Sequence, residues 1–204
     1  MADRVLLAEA LYEQEEFEAI SLDLSDAQGC RFLDCRFGSL TLTGGLAERT
    51  TWRGSLLRSV RFTAVGMARS NWLDTRFEAS AMSGCELFDS QLRRVHFEGC
   101  LLDSVNLRGA TLREVSFDDC VLRHLDLGSA KLTDVTIRGC TVERLDLTAA
   151  TLTRVDLRGS TIDLAGGVDR LRGAVVDHTQ LLDLAPALAA QLGLQVRPLD
   201  DARP

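Results

Sequence analysis

The stretch Val-Asn-Leu-Arg-Gly (105–109), followed by Ala-Thr-Leu-Arg-Glu (110–114), sets the pattern of this chain. Each block of five has a large apolar residue at its centre, a small or apolar residue two places earlier, and polar residues elsewhere. Outward in both directions the pattern holds without a slip from Phe32 to Ile162. The central series begins Phe32, Phe37, Leu42, Ala47, Trp52 and Leu57 and ends Leu152, Leu157 and Ile162; of its 27 positions only Ala47 is not large. The positions two places earlier, from Cys30 and Cys35 to Ser160, hold no charge in a chain that is 26% charged. A period of five matches neither a helix nor a simple strand, so it predicts an architectural repeat.

Two inward positions and three solvated ones in every five describe a chain that turns a corner at each block. Four such sides close a square coil of 20 residues, and coils stack through backbone hydrogen bonds at about 4.8 Å. One coil cannot bury its apolar face, so the array must be long and uniform. Residues 20 apart then form columns: Trp52 over Trp72, and Phe77, Phe97 and Phe117 as a ladder on the next side. The aromatic residues at central positions therefore read as core. All six cysteines (Cys30, Cys35, Cys85, Cys100, Cys120, Cys140) share the small inward position. Column neighbours would be close enough for a disulfide, but reduced, buried cysteines acting as small hydrophobes fit better. Thiols pointing into a packed core cannot converge with histidine on zinc.

These blocks resemble the A(D/N)LXX unit of pentapeptide repeat proteins. The resemblance implies an all-β, right-handed quadrilateral β-helix, here with a short C-terminal helical segment acting as cap or dimerisation contact. The expected divisions are a β-helix over 1–176 and a C-terminal helix and tail over 177–204. Strict repeats run from 30 to 164, after an imperfect first coil over 1–29 in which Leu7, Tyr12, Phe17 and Leu22 keep the register. The register breaks near 165–168, at Ala165-Gly-Gly167, and Leu171, Val176 and Leu181 resume it out of phase. About seven coils predict a rod near 34 Å long. Leu181, Leu184, Leu188 and Leu192 then follow helical spacing. Pro186 is expected to split that helix and Gly193 to stop it. A solenoid end needs covering, and by resemblance Leu181, Leu184, Leu188, Leu192 and Leu194 are candidate dimer contacts.

The ends narrow the resemblance. Leu11-Tyr-Glu-Gln-Glu-Glu-Phe17, Leu24-Ser-Asp-Ala27 and Cys30-Arg-Phe-Leu-Asp-Cys-Arg-Phe37 are similar to the opening of the Qnr quinolone-resistance proteins. Gly167-Val-Asp-Arg-Leu-Arg-Gly-Ala-Val175, Gln180-Leu-Leu-Asp183 and Gln191-Leu-Gly-Leu-Gln-Val196 are similar to their closing coil and helix, a plan shared by the mycobacterial MfpA proteins. The resemblance implies a DNA-mimicking partner of DNA gyrase or topoisomerase IV that protects against quinolones or a related poison. Qnr proteins carry loops between coils, for which the register from 32 to 162 leaves no room; MfpA, without large loops, is the closer plan.

Charge tests the mimicry. The chain is formally −7, and residues 1–30 alone carry eight acids against Arg4, so the remaining 174 residues sum to zero. A 34 Å length of duplex carries roughly 20 negative charges. Mimicry must therefore come from patterning, with acids on some faces and arginines on others. One stripe is visible: Asp26, Glu86, Asn106, Asp126 and Asp146 share a column. Asp118 and Asp119 lie two sides earlier in the coil that contains Asp126, and Asp156 is placed on that earlier column. Glu86, Asp118, Asp119, Asp126, Asp146 and Asp156 are thus the candidate gyrase-facing surface. The competing reading is that they only keep a solenoid soluble. Phe88, outward by register, is a candidate exposed apolar contact, as are Leu33 and Leu73 in one outward column.

The acidic balance argues against direct binding of DNA or RNA, and 22 arginines against one lysine suit a GC-rich genome better than a nucleic-acid site. No run approaches the roughly 18–20 apolar residues of a membrane span, and Met1-Ala-Asp-Arg4 lacks the basic and apolar regions of a signal peptide. A cytoplasmic protein is expected. His96, His124 and His178 lie in different columns or in the tail, and Gly166-Gly167 lacks the setting of a phosphate loop. Short, regular coils carry no catalytic loops, so no enzyme, cofactor or metal is expected. Two functions stay open: a dimeric topoisomerase-binding protein, or a scaffold for some other protein.

Overall fold

The computed structural model describes residues 4–19 and 21–197. Residues 198–204 of the expected tail, and 1–3 and 20 of the expected first coil, lie outside the described residues. Every strand pair is parallel and, away from the two ends, offset by 20 residues: Phe32 lies beside Trp52, Trp52 beside Trp72, and Phe97 beside Phe117. The chain is a pile of square coils. The first face is centred on Tyr12, Phe32, Trp52, Trp72 and onward to Leu152, the second on Phe17 to Leu157, the third on Leu22 to Ile162, and the fourth on Ala27 to Leu147. Eight central residues per face on the first three faces make eight coils, one more than the repeat predicts, because the imperfect first coil is complete.

The inward positions make one continuous core along the rod. Rings in a column stack at the coil rise: Trp52 over Trp72 at 4.8 Å, Phe17 over Phe37 at 4.7 Å, and Phe97 over Phe117 at 4.8 Å. Offset parallel stacking suits the ring quadrupoles. The small inward residues do a second job. The Ser80 hydroxyl donates to the carbonyls of Leu57 and Glu78 and accepts the Val60 N–H at 3.0 Å. Cys120 copies this two coils on, donating to the Phe97 and Asp118 carbonyls and accepting the Cys100 N–H at 3.4 Å. No buried side-chain nitrogen or oxygen among the described residues lacks a partner. All six cysteines are free and buried, and burial is the main force pushing the Cys30, Cys35 and Cys85 thiols up.

The corners explain the period. The second residue after nearly every centre takes the left-handed region, as at Asp34 (φ 54°), Asp74 (φ 52°), Arg94 (φ 51°) and Asp134 (φ 56°). Such a conformation turns the chain in one residue, at some cost to a side-chain-bearing residue. On the fourth face the turn is also closed by a backbone bond, as from Ala110 N–H to the Leu107 carbonyl at 3.1 Å.

Both ends depart from the register. Near the start Leu6 is fully buried and Leu7 is exposed, one place off the expected position. At the far end the strand Thr161–Gly166 pairs irregularly with Thr141–Asp146. A Cβ on Gly167 would sit 2.3 Å from the Leu147 carbonyl carbon, and its φ is 81°, so glycine alone fits the break. A 3-10 turn over Val168–Arg170 follows, and Ala174–Val175 rejoins the sheet 19 residues from its partners Val155 and Asp156. Leu171 and Val176 pack on the core as expected, whereas Leu181 is 47% exposed. Helix α1 then runs unbroken over His178–Gln191. The expected split at Pro186 does not occur. Leu182, whose carbonyl the proline leaves without an N–H, is exposed to water. Gly193, φ 73°, ends the helix: its N–H bonds the Ala190 carbonyl and that of Leu194 the Ala189 carbonyl.

Candidate functional surface

Three positions in five point outward, so each face presents two columns and each corner one. The candidate acids sort onto two faces. Glu86, Asn106, Asp126 and Asp146 form a single column on the fourth face, register neighbours one coil apart. The acids there are tied down: Asn106 Nδ2 donates to Glu86 at 2.6 Å, and Arg108 reaches Asp126 at 3.1 Å and Asp146 at 3.9 Å. The Thr148 side chain and N–H, bonding Asp146, hold its carboxyl below the usual range, with Arg108 adding to this. Counting both columns from Asp26 to Thr148, this face carries five acids and one arginine.

Asp118, Asp119 and Asp156 belong to the second face and its corner, on the opposite side of the coil. Asp156 does not follow Asp118: it stacks on Thr136 and Ser116, while Arg138 is the register partner of Asp118. The difference is one of phase, since one residue precedes its central position and the other follows it. Arg158 grips Asp156 with bonds of 2.9 and 2.7 Å and lowers its carboxyl to about 2. The six candidates are therefore two separate groups.

Elsewhere acids meet arginines one coil away. Arg94 holds Asp74 and Arg154 holds Asp134, each through two bonds at the same corner, and Arg58 pairs with Glu78 and Arg123 with Glu143. Exposed pairs of this kind add little stability; their effect is to mute the corner charges.

The first face is different, and reading the acids alone misses it. From Arg31 to Thr153 its 14 outward positions contain Arg31, Arg53, Arg93, Arg113 and Lys131 and no acid. Between them stand Thr51, Asn71, Gln91, Thr111, Thr133, Thr151 and Thr153, with Leu33 and Leu73 half-buried. Sorting the sequence by its position modulo 20 would have revealed the column.

The apolar candidates are corrected in part. Phe88 is half-buried beneath the Arg69 guanidinium, 5.8 Å from the ring centre. Leu184 is buried against its own chain and Leu188 half-buried, because with Gln180 they lie on the helix face turned to the last coil. Leu181, Leu192 and Leu194 do stand out, joined by Leu182 and by Val196 at 81% exposure. Among the described residues no group of three or more His, Cys, Asp and Glu side chains is placed to hold a metal. No helix is long and apolar enough to cross a membrane.

Parallel coils of 20 residues, four corners each and a helical end define a square parallel β-helix. Residues 90–165 match the family model described as pentapeptide repeat region. Among solved structures the chain is similar to QnrB1, a plasmid-mediated fluoroquinolone resistance protein, in trypsin-treated form. The two are 15% identical over 93% of this chain and 100% of that one, with a TM-score of 0.40. It is also similar to HetL, involved in heterocyst differentiation regulation in the cyanobacterium Nostoc (15% identity, 81% and 90% covered, TM-score 0.43). Rfr23 from the cyanobacterium Cyanothece 51142 is 17% identical, with 65% and 91% covered and a TM-score of 0.45. No curated protein matches the chain.

Proposed function

We propose that this chain is a non-enzymatic protein-binding rod of the bacterial cytoplasm that engages DNA gyrase or topoisomerase IV. By doing so it would regulate the enzyme or protect it from quinolones or a related poison. The observation that carries this reading is the fourth face, with five acids against one arginine and Asp126 and Asp146 stacked one coil apart. Carboxylates at about 4.8 Å approach the 3.4 Å charge spacing of one DNA strand. The likeness of both chain ends to Qnr and MfpA sequences supports the same partner. Leu181, Leu192 and Leu194, with Leu182 and Val196, form the dimer contact in this reading.

A scaffold for a different protein is the second reading, favoured by the paired corner charges and by Arg108 between the key acids. Gyrase supercoiling with and without ciprofloxacin separates the two. Under the first reading the wild-type chain inhibits or protects at micromolar concentration, and Asp126→Ala with Asp146→Ala abolishes the effect. If the wild-type chain leaves both topoisomerases untouched, the partner is another protein.

A further inference from the structure

We infer that the first face is a docking surface for the phosphate backbone of duplex DNA. Its outward columns bring Arg31, Arg53, Arg93, Arg113 and Lys131 to one side of the rod with no acid among them from the second coil to the eighth. All five are exposed. Only Arg113 has an ion-pair partner among the described residues, Glu114 at the adjoining corner. Three further acids stand at that corner, Asp34, Asp74 and Asp134, the last two held by Arg94 and Arg154. Besides Arg94, Arg53 and Arg93 help lower the Asp74 carboxyl, and besides Arg154, Arg113 helps lower that of Asp134, so the acids that answer the row stand at its edge while its own outward columns carry five cations.

The occupant follows from what surrounds the cations. Its outward positions carry hydroxyl and amide side chains but no tyrosine or tryptophan of the kind that anchors protein interfaces, those at its centre being buried. It has no exposed aromatic ring on which single-stranded bases could stack. Cations with hydrogen-bonding neighbours are the groups that position a duplex by its phosphates. From Arg31 to Lys131 the row crosses five coil rises, about 24 Å, most of the roughly 34 Å turn of a duplex. The formal −7 of the chain does not oppose this. Residues 1–30 account for that whole charge, the row from Arg53 to Lys131 runs away from them, and charges beyond about 8–10 Å are screened at physiological salt.

The topoisomerase reading is not needed here, and the test uses no topoisomerase, so either can fail alone. The anisotropy of a labelled duplex of about 20 base pairs is followed with the full chain at stepped salt. Five phosphate contacts predict a slope of log K against log salt near −4 to −5. Arg53→Gln with Arg93→Gln should flatten the slope by about 2. The charge-matched pair Arg123→Gln with Arg138→Gln, on other faces, should not change it; circular dichroism confirms that both variants fold. The inference is overturned by absence of binding at about 50 mM salt, where such contacts are strong. An equal loss in the control pair also overturns it, as does tighter capture of poly-glutamate than of duplex, which would assign the face to an acidic protein.

Discussion

Cys120 shows how little a single position needs to supply. Its thiol meets three backbone groups, and Ser80 and Ser160 meet the equivalent groups in the same column through hydroxyls. The thiols of Cys120 and Cys140 share this ladder. A hydrogen bond with Cys100 pushes Cys120 up to about 12, and one with Cys120, helped by burial, pushes Cys140 up as well. Both stay protonated at neutral pH. Cys120→Ser should therefore cost less than about 1 kcal/mol in thermal or denaturant unfolding, since the bonds are remade. Cys120→Leu, by contrast, should cost about 1–3 kcal/mol by overpacking. The uncharged inward series shows in the sequence that these positions are buried. Two of the three bonds do not show there, because they join residues 20 and 23 apart whose meeting depends on coil stacking.

At the scale of elements, the C-terminal cap turns on Gln180. It stands where the next member of the Cys140 and Ser160 column would be, and its Nε2 donates to the Leu157 and Ser160 carbonyls, each at 2.6 Å. Its Oε1 accepts the Asp177 N–H, and Asp177 accepts the Gln180 N–H, which starts α1 with a reciprocal cap. Gln180→Ala should cost about 1–3 kcal/mol by stranding buried carbonyls and raise hydrogen exchange in α1. Asp177 adds a pH dependence. Backbone N–H groups of Gln180 and Gly159 hold its carboxyl below the usual range, so its folded value lies under its unfolded one. Its stabilisation is complete above about pH 4 and is lost as pH falls through the depressed folded value. The helical signal should decline in that acid window in the wild-type chain. Asp177→Asn keeps an N-cap acceptor and should remove the contribution of this carboxyl. Helical spacing announces α1 in the sequence. It does not separate Leu184, which faces the last coil, from Leu192 and Leu194, which face water.

For the whole molecule, Leu181, Leu182, Leu192, Leu194 and Val196 leave an apolar cluster at one end. In the dimer reading, light scattering finds two chains per particle, and Leu192→Lys with Leu194→Lys gives monomers with an unchanged β-sheet spectrum. A wild-type monomer at high concentration would remove that reading. The unbroken five-residue period by itself determined the square coil, the core and the stacked aromatic columns, because each depends only on local spacing repeated along the chain. It also placed the register break at Gly166-Gly167, where backbone approach requires glycine. Only the tertiary structure decided which charges act together. Stacking brings residues 20 apart to neighbouring positions, and phase within the block sets the column each occupies. That is why Asp118 and Asp156 part company and acids find arginines across coils. It is also why a chain with more acids than bases presents a face with no acid over seven coils.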